Sequence, residues 1–196
     1  RMLQLNGWDP LKALSFGLFV ILLLPIAFAF WTAALGFVVR CRGGDLLDLS
    51  RLLQPNPEPP PSLPRTAVVM PVYNEDPVRV FAGLKATYQS LQQTGCLQGF
   101  DFFVLSDTTD PDIWVREELA FAGLQREVSQ PERLIYRNRR ENLERKSGNI
   151  AEFCATWGER YTYMVVLAAD STMTGNSLLN LVRLMEGNPG VGIVQA

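Results

Sequence analysis

Histidine is missing altogether from these 196 residues. Its absence removes every Ser-His or Cys-His nucleophile pair and the usual zinc sites that need imidazole. Catalysis in this chain would fall to carboxylates, Lys, Arg, Tyr, Ser or a hard cation. Cysteine is scarce: Cys41, Cys96 and Cys154 stand far apart, odd in number, with no CxxC pair. This pattern lacks a disulfide framework and suits reduced structural thiols in a cytosolic compartment. A large charge excess is also missing. The formal net charge is −2, so nucleic acid finds no broad basic field to bind. Neither GxxxxGKS/T nor GxGxxG follows a strand pattern. ATP-hydrolysing and dinucleotide-binding sites therefore lack their glycine cradles.

Against these absences stands one long apolar run, Ala13 to Val39, with no charged residue. As a helix it would extend roughly 40 Å, and a bilayer core needs only about 20 such residues. A secretory signal has a shorter apolar stretch and a small-residue cleavage site. We expect a transmembrane helix over residues 13–39, after a flank of residues 1–12, with Pro25 tolerated inside it. Arg40, Arg42 and Arg51 follow the run, whereas Arg1 and Lys12 precede it. That slight excess predicts a cytoplasmic C-terminal side. Residues 40–64 form the juxtamembrane segment. It ends in "QPNPEPPPSLP", whose six prolines favour an extended, semi-rigid linker. The chain opens "RMLQLNG" and closes "GVGIVQA" inside an apparent strand, so we expect a piece of a larger polypeptide.

Residues 65–196 alternate strand and helix patterns. "TAVVMP", "FDFFVLSD", "RLIY", "YTYMVVL" and "VGIVQ" read as five strands. Helical patterns of 10–15 residues between strands imply βαβ units and a mostly parallel α/β sheet. Asp76-Pro77 and Asp110-Pro111 read as helix caps followed by first helical residues. Phe153, Trp157 and Tyr163 read as core.

In open parallel sheets ligands bind beyond the carboxyl ends of the strands. Tyr73, Asn74, Glu75 and Asp76 follow the first strand, and Ser106, Asp107, Thr108 and Thr109 the second. Arg145 to Asn149 open a helix, and Asp170, Ser171 and Thr172 follow the fourth strand. These turns should converge on one rim. Three carboxylates (Glu75, Asp107, Asp170) and Lys146 suit a hydroxyl-rich anion held with a hard cation, such as a sugar nucleotide. The acids would meet ribose and base donors, Lys146 the diphosphate, and one acid a divalent metal. Mg2+ takes one or two carboxylates and completes its octahedron with phosphate oxygens and waters. The fourth strand reads as buried on both faces, a stiff support for a metal ligand at its end.

"PVYNE" (71–75), "VLSD" (104–107), "KSGN" (146–149) and "VVLAADS" (165–171) resemble the processive, membrane-embedded, inverting glycosyltransferases of the GT-A fold. "NEDPVRVFAGL", "FDFFVLSDT" and "RKSGNI" are most similar to the branch that builds the backbone of osmoregulated periplasmic glucans in Gram-negative bacteria. The resemblance covers about residues 65–196. It implies a UDP-glucose donor, Mg2+ or Mn2+, and transfer to a growing β-linked glucan. It implies a place in the bacterial inner membrane, with the catalytic domain facing the cytoplasm and with further membrane or carrier-protein partners. By motif, the Tyr73–Glu75 turn and Asp107 match the uridine side of the donor site. Lys146 matches the lysine that meets the nucleotide, and Asp170 the metal-binding second acid of an Asp-x-Asp pair. Ala168 departs from that pair, because its methyl stands where the family has the first Asp. The family's general base and acceptor motifs are expected beyond Ala196, so this chain by itself should be inactive. Two alternatives remain: another polysaccharide synthase of the same fold, making cellulose, hyaluronan or chitin, or a non-catalytic UDP-glucose-binding regulator.

Overall fold

The computed structural model describes residues 9–42, 63–139 and 141–195. The proline-rich linker expected over residues 54–64 lies almost wholly outside the described residues. The chain divides into two compact units, residues 1–51 and 52–196.

Among its described residues the first unit contains one helix, α1 (Pro10–Cys41), which runs past the apolar stretch at both ends. Asp9 stands at its N-cap and Pro10 takes the first turn, where a missing N–H costs nothing. Pro25 sits inside the helix without ending it. Mean hydropathy reaches 2.6 and no side chain of α1 is buried. The few hydroxyls return to the helix: Ser15 Oγ donates to Leu11 O and Thr32 Oγ1 to Phe28 O, both at 2.8 Å. A helix that is apolar on every side has no polar face to turn to water.

The second unit is a parallel sheet in the order β3-β2-β1-β4. Its strands are β1 (Thr66–Val72), β2 (Phe100–Ser106), β3 (Leu134–Asn138) and β4 (Tyr163–Val166). The helices are α2 (Pro77–Gln93), α3 (Pro111–Glu127), α4 (Arg145–Trp157) and α5 (Gly175–Gly187). β1 and β2 are buried along their whole length, as the apolar runs demand when both faces carry helices. Alternate residues serve two cores. Val68, Met70 and Val72 of β1 join Phe102 and Val104 of β2 against α2 and α5. Ala67 and Val69 join Phe103 and Leu105 against Phe153 of α4. α2 buries Val80, Leu84, Tyr88 and Leu91, one stripe at helical spacing. Asp76 caps α2 through Val78 N–H, and Asp110 caps α3 through Asp112 and Ile113 N–H.

Two expectations fail. Residues 191–195 form no strand, and Ile193 is 87% exposed. The turn that follows α5 leaves only a short apolar run, and without a ladder partner its backbone gains nothing from extending. β4 is not buried on both faces. It is an edge strand paired only with β1 among the described residues. Tyr163 and Val165 pack on the main core, whereas Met164 and Val166 remain exposed because the α4 layer gathers residues of β1, β2 and β3 only.

Candidate functional site

The strand order reverses beside β1: the chain steps outward through β2 to β3, then returns to place β4 on the other flank. At such a switch point the loops leaving neighbouring strands diverge and open a crevice. A cleft of about 820 Å³ lies there. Tyr73, Glu75, Asp107, Lys146 and Asp170, the side chains singled out in the sequence, all line it. Ala168 and Ala169 form part of the same wall.

Each turn is held in place by its neighbours. After β1 the chain turns through Asn74 at φ 51°, the left-handed region that asparagine tolerates. The Asn74 Oδ1 accepts from Thr109 and Asp110 N–H at 3.0 and 3.1 Å. This fastens the exit of β1 to the exit of β2 and presents Tyr73 and Glu75 to the cleft. The chain after β4 makes a tight turn, with Ser171 N–H donating to Ala168 O at 3.0 Å. It is then tied to α2, where Met173 N–H meets Thr87 Oγ1 and Gly175 N–H meets Ser90 Oγ. A Cβ at Gly175 would lie 2.5 Å from the Leu91 Cα. Only glycine permits that approach, which places the Asp170 turn.

α4 enters the site differently. Glu144 and Arg145 both have positive φ, and a Cβ at Gly148 would fall 2.1 Å from Leu143 O. The tight entry directs Arg145 and Lys146 to the cleft. Lys146 makes no ion pair among the described residues.

Charge is uneven within the cleft. Asp107 is buried and takes a two-pronged grip from Arg139, Nε to Oδ1 at 2.5 Å and Nη2 to Oδ2 at 2.9 Å. A carboxylate has about four acceptor positions, so this fork leaves lone pairs unused. Glu75 titrates above the usual carboxylate range, chiefly through desolvation and then through repulsion from Asp170, with Lys146 and Arg79 pulling the other way. Glu75 thus feels both Asp170 and Lys146 across the cleft.

Several residues in or beside the cleft escaped the sequence reading. The run "RNRRENLERK" looked like a solvated face, yet the Arg137 and Arg139 side chains are only 14% and 8% exposed. Arg139 secures Asp107, and Asn142 Nδ2 donates to Asp107 O at 2.6 Å. Arg79, in the first turn of α2, also lines the cleft.

The description of glycosyl transferase family 2 matches residues 67–196. The chain is 50% identical over 194 residues to "glucans biosynthesis glucosyltransferase H" of Ralstonia nicotianae, covering 99% of this chain and 22% of that protein. It is 51% identical over 179 residues to the protein of the same name from Dickeya dadantii, covering 91% of this chain and 21% of the relative. The chain therefore spans about a fifth of the length of the curated relatives it matches. Among solved structures, a mannosyltransferase from Pyrobaculum calidifontis in complex with GDP-Man and Mn2+ aligns at 20% identity and a TM-score of 0.44, over 81% of this chain and 43% of its own.

Proposed function

This chain belongs to glycosyl transferase family 2, and from that premise we propose that it forms the donor-binding part of a membrane-bound, inverting glucosyltransferase. The donor is UDP-glucose, and the product is the β-linked backbone of osmoregulated periplasmic glucans. The convergence of Glu75, Asp107, Lys146 and Asp170 on one cleft carries the reading. Tyr73, Glu75 and Asp107 take the uridine side, and Lys146 takes the diphosphate. α1 anchors the protein in the bacterial inner membrane, with the catalytic unit facing the cytoplasm.

The cleft suits one divalent cation. Asp170 is exposed to it with Glu75 within electrostatic reach, and a nucleotide diphosphate supplies the remaining hard oxygens. Asp170 would hold Mg2+ or Mn2+, which when bound contributes positive charge beside the leaving phosphate. Lys146 stabilises the same developing charge. An acceptor hydroxyl of the growing glucan attacks the anomeric carbon in line, and the configuration inverts as UDP leaves. The base that takes the hydroxyl proton belongs to polypeptide outside these residues.

Calorimetry of UDP binding to the whole chain in detergent, with and without Mg2+, tests the donor assignment. Metal-dependent binding is expected. Loss of that binding in Lys146→Ala and Asp170→Asn supports the two roles, and no binding by the unaltered chain overturns the reading.

Ala168 favours a second reading, a membrane-tethered regulator that binds UDP-glucose without turning it over. A protein of the relatives' full length should synthesise glucan when Ala168→Asp is introduced. Silence in both forms favours the regulator.

A further inference from the structure

Glu117 lies in the middle of α3 and is 2% exposed. Its carboxylate meets no cation among the described residues. It accepts instead from three hydroxyls: Ser106 Oγ at 2.7 Å, Thr108 Oγ1 at 2.5 Å and Tyr136 OH at 2.9 Å. A buried carboxylate bonded only to neutral donors is an expensive way to fill a core. An apolar side chain of similar volume would serve packing as well or better. The position of the hydroxyls explains what the carboxylate does. Ser106 and Thr108 are the two neighbours of Asp107. Thr108 Oγ1, while donating to Glu117, accepts from Asn74 N–H at 3.0 Å. Asn74 is the centre of the turn whose flanks, Tyr73 and Glu75, line the cleft. One carboxylate therefore grips both sides of Asp107 and, through a single hydroxyl, the turn after β1.

We propose that Glu117 is a positioning residue that sets the spacing between Asp107 and the Tyr73–Glu75 turn, and so tunes nucleotide affinity from outside the cleft. The proposal rests on the donor reading given above. The directions of the hydrogen bonds make it specific. Thr108 has one proton, which it gives to Glu117, so its lone pairs remain free for Asn74. Replacing the carboxylate by an amide leaves one acceptor oxygen for three hydroxyl protons: either Thr108 loses the acceptor for its proton, or Ser106, whose oxygen already accepts from Thr108 N–H and Asn138 Nδ2, loses its own, and the grip on Thr108 weakens. Tyr136 bonds the same carboxylate from β3, away from the turn, so losing its hydroxyl leaves the connection from Glu117 to Asn74 intact.

Three variants of the whole chain test this: Glu117→Gln, Thr108→Val and Tyr136→Phe. UDP affinity in Mg2+ is measured by calorimetry, thermal stability by circular dichroism, and exchange of the Asn74 amide by hydrogen–deuterium exchange. Glu117→Gln and Thr108→Val should each weaken UDP binding on the order of tenfold, the value of one lost hydrogen bond. Both should speed Asn74 exchange. Tyr136→Phe should lower stability while leaving affinity within about twofold and Asn74 exchange unchanged. Should Glu117→Gln fail to fold, Thr108→Val carries the comparison alone, since it keeps the other two hydroxyls on Glu117. Affinity that falls in step with stability in all variants, or Asn74 exchange unmoved by Thr108→Val, overturns the proposal. Absence of UDP binding to the unaltered chain would refute the donor reading, while Asn74 exchange still decides whether the link through Thr108 exists.

Discussion

Ala168 shows how much one methyl withholds. It lines the cleft two residues before Asp170, in a turn closed by its own carbonyl. A carboxylate there would face the same volume as Asp170. Ala168→Asp should tighten Mg2+-dependent UDP binding roughly tenfold to a hundredfold, the range for one charge-assisted hydrogen bond. Calorimetry reads it directly. A second residue lies at the far end of β2. Tyr161 OH donates to Asp101 Oδ2 at 2.9 Å, beneath the guanidinium of Arg65. Burial, then that hydrogen bond, pushes its phenol up to about 12. An unfolded chain would release this proton near pH 10. The folded state holds more protons across that interval, so the contribution is complete below about pH 10 and fades as pH rises towards 12. Urea titrations over that range should show a steeper alkaline loss for the native chain than for Tyr161→Phe.

The helices hold the cleft by close approach rather than by capping alone. α5 begins against the backbone of α2, and Gly175 leaves no room for a side chain. Gly175→Ala must push the two apart. A loss of about 1–3 kcal/mol is expected, as for an overfilled core, with the Asp170 turn displaced along with it. Thermal unfolding measures the first effect and weakened UDP binding the second. α4 depends on an aromatic cluster instead. Phe103 of β2 sits 4.8 Å from Phe153 and 5.6 Å from both Trp157 and Tyr161, ring centre to ring centre. This cluster seats the helix whose first turn carries Lys146.

For the molecule as a whole, α1 raises a solvent question. It is 32 residues long and buries nothing, a state that water disfavours by roughly 25 cal/mol for each Å² of apolar surface. A bilayer removes that penalty. Ile26→Arg places a charge near the centre of the helix and should cost about 2.5–3.5 kcal/mol of insertion free energy. Alkaline extraction of membranes expressing the whole chain should then release a larger soluble fraction than for the native sequence.

The apolar runs that became β1, β2 and α1 were legible in the amino-acid order. So were the aspartate-proline helix starts and the polar turns, because each depends on neighbours within a few positions. Burial was harder to foresee. β4 has the same apolar texture as β1, yet among the described residues it lies at an edge and "VGIVQ" pairs with no strand. Pairing partners come from distant parts of the chain, and hydrophobicity does not name them. The same limit hid Arg139 and Glu117. A charged residue in a polar loop or on a mixed helix looks solvated until folding brings Asp107, or three hydroxyls, against it. Local order thus determined which residues could reach the rim of the sheet. The tertiary structure decided which were neutralised, which line the cleft, and what holds them apart, because those outcomes depend on distances between segments that only packing sets.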